Sequence, residues 1–230
     1  MERSNWEKRN TVESKNQVSK FVKFEGDLGG SPRIMFLGNS ITWHGPLEEI
    51  GWSGDWGMAA SLEENDYAHK IMAAVKTKHP NAAFCIVQAA NWERTYKNCD
   101  YDGNFAPAKD FHPDLIICLL SDNMIVEDFE QNAFIENMGK LHGYLSGEGR
   151  SAKIIETSSF GSNETKDKAI EAYTEKVGAH YIYIGDLNKD EKYLAKGLFW
   201  HDGVAGHPGD FGMQTIADRI LECINKNQMI

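Results

Sequence analysis

Arg33-Ile34-Met35-Phe36-Leu37-Gly38-Asn39-Ser40-Ile41-Thr42 is the stretch on which the fold turns. Its apolar half, Ile34 to Leu37, is a short run that reads as a buried strand. The run stops at Gly-Asn-Ser, residues that favour a turn. A strand ending this way presents the Ser40 hydroxyl at the carboxyl edge of a sheet. In open α/β sheets that edge is where ligands bind.

Further apolar runs follow at Ala83–Val87, Leu115–Leu120, Lys153–Glu156 and Tyr181–Ile184. Each is short, rich in β-branched or aromatic residues, and bounded by polar or turn residues. Helical stripes lie between or after them: Tyr67, Ile71, Ala74 and Val75; Phe134, Met138, Leu141 and Leu145; Ala169, Ala172, Tyr173 and Val177; Ile216, Ile220, Leu221 and Ile224. Alternating strands and helices imply a parallel sheet covered on both faces. The expected fold is a three-layer α/β/α domain, flavodoxin-like, with about five parallel strands, spanning 33–230. Residues 1–32 read as an N-terminal extension. Within it Phe21–Phe24 has the character of a short strand, and Gly29-Gly30-Ser31-Pro32 reads as a turn into the core.

The chain has 230 residues, enough for one domain with a substantial core. Hydrophobic residues make up 41% and charged residues 25%, the balance of an ordinary globule. Net charge is −10 and Lys/Arg form no stripe, which argues against a nucleic-acid partner and against anionic membranes. The amino terminus, Met1 to Asn10, lacks the apolar core of a secretory signal, so the expectation is cytoplasmic. Four cysteines contain no Cys-x-x-Cys pair, and neither a zinc site nor a redox motif follows from them.

A serine is a poor nucleophile without a base beside it. The base candidate comes late, in Asp202-Gly203-Val204-Ala205-Gly206-His207-Pro208. Pro208 keeps His207 out of the helical region, so the imidazole can project from a loop over the sheet edge. The competing reading makes Ser40 or Thr42 a helix cap. His201 is the rival base; His44, His69, His79, His112, His142 and His180 read as solvated or capping. Asp202 is the candidate acid, with a backbone carbonyl as the alternative partner of His207. Asp210 reads as the N-cap of the last helix. His201, Asp202, His207 and Asp210 also form a His/Asp cluster, which keeps a metallohydrolase open as another class.

These segments resemble the SGNH/GDSL family of esterases and lipases over about residues 33 to 220. Its first block, Gly-Asp-Ser, is matched by Gly38-Asn39-Ser40 with Asn in the Asp place. Its last block, Asp and His before Pro, is matched by Asp202, His207 and Pro208, with two residues more than the usual Asp-x-x-His spacing. Its Gly-x-Asn-Asp block corresponds to Ser121-Asp122-Asn123-Met124, which keeps only the Asn. The remaining glycine block falls at Val87–Trp92 and has no glycine. The resemblance implies a serine esterase without cofactor. Ser40, His207 and Asp202 would be catalytic. The Ser40 N–H, the Asn123 side chain and a group near Ala90 or Asn91 would hold the oxyanion.

One segment breaks the alternation. Trp43 to Ser61 carries three tryptophans and four glycines just after the serine. A loop this long in a compact domain is usually functional. Trp43, Trp52 and Trp56, joined by Trp92 and Trp200 from other strand ends, either cap the core or line an acyl or sugar pocket. The resulting expectation is a serine-dependent carboxylic-ester hydrolase for short acyl groups, with an acetylated carbohydrate as the substrate the aromatics suggest. The altered middle blocks leave a non-catalytic carbohydrate-binding relic as the alternative.

Overall fold

The computed structural model describes residues 21–230. The amino-terminal segment on which the cytoplasmic expectation rests lies outside them.

Six strands form one sheet: β1 (Val22–Gly26), β2 (Arg33–Gly38), β3 (Ala83–Gln88), β4 (Leu115–Leu119), β5 (Lys153–Thr157) and β6 (His180–Ile182), in the order β1-β3-β2-β4-β5-β6. β2 to β6 run parallel, as the alternation predicts. β1 adds to the edge antiparallel to β3, with Val22 opposite Val87 and Gly26 opposite Ala83. The domain therefore begins before Arg33, and part of the supposed extension belongs to the sheet. Without β1, the parallel order is that of a flavodoxin-like sheet.

Among the described residues seven helices complete the layers: α1 (Tyr67–Lys78), α2 (Ala90–Thr95), α3 (Tyr101–Lys109), α4 (Gln131–Ser146), α5 (Glu164–Val177), α6 (Asp202–Ala205) and α7 (Asp210–Lys226). The stripes identified from spacing account for α1, α4, α5 and α7. On one face, Tyr67, Ile71 and Val75 of α1 and Met213, Ile216 and Ile220 of α7 pack on Ile34, Phe36 and Ile117 of the sheet. On the other, Trp92, Phe105, Phe134, Leu141 and Tyr173 pack on Met35, Leu37 and Cys118. β2 thus buries alternate side chains into both cores, which is why it reads as an unbroken apolar run.

The crossovers leave β2 in opposite directions, to β3 on one side and eventually to β4 on the other. The turns after β2 and β4 therefore flank the point where the strand order reverses, and a crevice opens there. Gly38 makes the first turn possible. A Cβ at that position would lie 1.8 Å from Thr42 Oγ1 and 3.1 Å from the Leu119 carbonyl, so no larger residue fits.

Candidate active site

The turn after β2 brings Ser40 against the segment between α6 and α7. Ser40 Oγ and His207 Nε2 lie 2.7 Å apart, although 167 residues separate them in sequence. His207 Nδ1 lies 2.6 Å from the carbonyl oxygen of Gly203. A carbonyl can only accept, so Nδ1 carries the proton and Nε2 turns its lone pair to Ser40. Burial is the main force lowering the His207 pKa below 6.5; nearby His44 also lowers it, while the Gly203 bond opposes both. The imidazole is accordingly neutral and basic at pH 7.

Asp202 does not hold His207. The residues between them form a turn of helix, α6, capped by His201 Nδ1, which accepts from Val204 N at 3.4 Å. That turn carries the Gly203 carbonyl four residues back from His207 and under its ring. Asp202 lines the cleft without a hydrogen bond to the imidazole among the described residues. The rival base is accounted for as well, since His201 is a cap. Asp210 sits in the first turn of α7 behind Gly209, the actual N-cap, and accepts from Ser61 N at 2.8 Å and Ser61 Oγ at 2.5 Å. The His/Asp cluster is thus divided among a cap, a ring set against Ser40 and a loop tie. Among the other histidines, His142 is buried in the core at 3% exposure rather than solvated, and His69 pairs with Asp66 and Glu25.

The cleft around Ser40 has a volume of about 300 Å³ and is lined by Asn39, Asn123, Phe160, Asn188, Asp202 and His207, among others. A second cleft, of about 400 Å³, includes Trp43, His44, Asn91 and Arg94. A larger cavity of about 600 Å³ lies between the C-terminal ends of α1 and α7, at the opposite edge of the sheet, and its lining holds no serine or cysteine.

Under the serine lies a group that sequence reading did not single out. Glu93, on α2, is 1% exposed. Its Oε1 accepts from Ser121 N at 2.5 Å and Asn39 Nδ2 at 3.2 Å, and its Oε2 accepts from Asn123 Nδ2 at 2.5 Å. Asp122 lies alongside and accepts from Gly161 N at 2.7 Å. Burial, followed by the Asp122 charge, pushes Glu93 up to about 7, against hydrogen bonds from Asn123 and Asn39. This explains Asn39: its Oδ1 accepts from Ile41 N at 3.1 Å while its Nδ2 faces two carboxylates. An aspartate there would set a third carboxylate against the pair. Ser121 takes a φ of 95°, a left-handed conformation that costs a non-glycine residue about 1–3 kcal/mol, and its N–H is thereby delivered to Glu93.

Of the other oxyanion candidates, the Ser40 N–H has no partner among the described residues. The Ala90 N–H is taken by Gln88 Oε1 at 2.9 Å, and the Asn91 side chain turns to Asn104 at 3.2 Å. Neither residue lines the Ser40 cleft.

The tryptophans divide by burial. Trp92 is fully buried against Tyr96 and Phe134 and is a core residue. Trp52 and Trp56 pack edge to face at 5.8 Å, with Phe199 at 6.0 Å from Trp52. With Met58, Ala195 and Val204 they make a small core of their own, and neither lines the serine cleft. Trp43 borders the second cleft, with its Nε1 on Asp55 at 2.8 Å. The long loop is thus a buttress: Met58 N donates to the Ser40 carbonyl at 2.8 Å, and Trp52 packs in the cluster that includes Val204 of α6. Trp52→Ala is therefore expected to lower stability by about 3–5 kcal/mol. In a domain of this size that is a Tm fall on the order of 10 °C in a thermal melt. A Trp52→Ala variant with unaltered Tm would return Trp52 to the pocket.

No protein-family model matches the sequence, and no curated protein matches it. The fold does have solved counterparts. A psychrotrophic esterase, EstA, from Pseudoalteromonas sp., in a structure inhibited by monoethylphosphonate, aligns with a TM-score of 0.54 at 12% identity, over 85% of this chain and 98% of that one. A two-domain esterase active on acetylated mannans, co-crystallised with mannopentaose, gives 0.53 at 16% identity, over 84% of this chain and 49% of that one. A family two carbohydrate esterase from Clostridium thermocellum in complex with cellohexaose gives 0.51 at 14%, over 87% of this chain and 66% of that one. The chain spans about half of the mannan esterase. At these identities the likeness is one of fold.

Proposed function

We propose that this protein is a serine-dependent carboxylic-ester hydrolase of SGNH type, acting on short acyl esters. The observation that carries the reading is the 2.7 Å contact between Ser40 Oγ and His207 Nε2, with Nδ1 tied to a carbonyl. Ser40 Oγ attacks the ester carbonyl carbon while Nε2 takes its proton. The negative charge on the carbonyl oxygen is met by the Ser40 N–H and the Asn123 amide. His207 then passes the proton to the leaving alcohol. Water, deprotonated by the same imidazole, releases the acid from the acyl-serine. The Ser40–His207 contact, with Nδ1 held by the Gly203 carbonyl, favours this over a binding relic. Because Asp210 and His201 are engaged elsewhere, it also favours this over the metallohydrolase.

The 300 Å³ cleft suits a small acyl group. For the alcohol, two observations support a carbohydrate. The neighbours of like fold include proteins described as acting on acetylated mannans or holding cellohexaose. Trp200, beside the capping His201, presents its ring to solvent at 72% exposure, where a sugar ring can stack. The test is a rate series from acetyl to octanoyl chromogenic esters and acetylated oligosaccharides, each with and without chelator. The expected pattern is a steep fall with acyl length, turnover of acetylated sugars, and no chelator effect. Equal acetyl and octanoyl rates remove the short-acyl assignment, and loss of activity with chelator removes the serine reading.

A further inference from the structure

An asparagine amide has nearly the same shape in either of two orientations, and its neighbours decide which end is nitrogen. At Asn123 both neighbours come from one turn of α2. Glu93 meets the amide through Oε2, and its other oxygen receives only donors. The ionised carboxylate can only accept, so in that state the end facing it is Nδ2. Arg94 brings a guanidinium, which can only donate, with Nη2 2.9 Å from Oδ1. A flipped amide would set NH₂ against guanidinium and carbonyl against carboxylate. Nδ2 has two hydrogens, and Glu93 uses one. The second has no partner among the described residues, and Asn123 lines the Ser40 cleft.

We propose that Glu93 and Arg94 are positioning residues: together they lock the Asn123 amide so that its remaining N–H serves the oxyanion. The assignment rests on the hydrolase reading above. A second feature supports it. Glu93 is buried with no ion pair of its own among the described residues, an arrangement that costs stability and is retained where it does other work. Its donors come from the turns after β2 and β4, so one carboxylate also ties the serine turn to the asparagine turn.

The experiment compares Glu93→Gln, Arg94→Met and Asn123→Ala, singly and combined, on acetyl-ester hydrolysis. A glutamine that keeps its oxygen toward Ser121 N and Asn39 points its NH₂ at Asn123. The amide must then flip, and its own NH₂ meets Arg94. Glu93→Gln is expected to lower kcat by about 10²-fold or more, as loss of an oxyanion donor does, with KM within about threefold. Arg94→Met, at an exposed position, should lower kcat by about tenfold. In an Asn123→Ala background neither change should cost anything further. A merely structural role predicts the opposite, namely losses that persist in that background; such a result overturns the proposal, as does full activity of both single variants. If Glu93→Gln does not fold, Arg94→Met and its combination with Asn123→Ala decide alone. The Asn123 side-chain amide resonances, assigned by their absence in Asn123→Ala, read the lock without catalysis. Slow exchange of one hydrogen in the wild type, lost in Glu93→Gln, is expected. If that holds while Ser40→Ala retains activity, the lock stands and the Ser40 nucleophile assignment fails.

Discussion

Ser40→Ala is expected to remove acetyl-ester hydrolysis almost entirely, by about 10⁴–10⁶-fold in kcat. In the proposed mechanism the hydroxyl forms the acyl bond, and its one hydrogen bond among the described residues is to His207. Stability should change by no more than about 1 kcal/mol, because a half-buried hydroxyl at the sheet edge leaves no sizeable cavity and the His207 ring, which loses its partner, borders the cleft. The Ser40 carbonyl, which holds Met58 N, is untouched by the substitution. Covalent labelling offers a second reading. A serine-directed phosphonate should modify Ser40 alone, located by peptide mass mapping. Label on another serine, or an alanine variant that turns over at the wild-type rate, ends the assignment.

Which parts of this arrangement could be read from sequence depends on how local their causes are. The layers were legible because each strand and helix writes its burial into its own residues, as β2 does from Ile34 to Leu37 and α7 does at Ile216, Ile220 and Ile224. Ser40 and His207 were legible because turn chemistry surrounds each: Gly38 before one, Pro208 after the other. β1 was half legible; its residues favour a strand, but the edge it joins is set by β3, far along the chain. Trp52, Trp56 and Trp92 show the limit from another side. Tryptophan content says that a large ring must be covered, and it does not say whether protein or substrate covers it. Glu93 was not legible as a site residue. A single glutamate in a short helix carries no pattern, and its role exists only where α2 meets the turns after β2 and β4. The Asn39 departure from Gly-Asp-Ser and the buried Glu93 are one fact in the folded chain and two unrelated residues in the sequence.

The relay supplies the sharpest contrast. The two residues beyond the Asp-x-x-His spacing invite a bulge that would return Asp202 to the ring; instead they complete a helical turn whose Gly203 carbonyl does the orienting. His207→Ala should therefore fall as far as Ser40→Ala, about 10⁴–10⁶-fold, and the double variant should fall no further, because nucleophile and base act as one unit. Asp202→Ala should stay within a few-fold of wild type. Loss of a carboxylate that truly set the tautomer costs about 10⁴-fold in a comparable triad. The pH profile carries the same argument. The base must be neutral to act, and burial lowers the His207 pKa below 6.5. The His207 limb should thus have its midpoint beneath 6.5, while protonation of Glu93, whose pKa burial raises to about 7, should release the Asn123 amide and begin the loss of activity nearer neutrality. His44 contributes to that lowering, so His44→Gln should move the acid limb of kcat/KM towards higher pH. An Asp202→Ala enzyme as inactive as His207→Ala would return the orienting role to the carboxylate, and a limb that ignores His44 would separate that residue from the base.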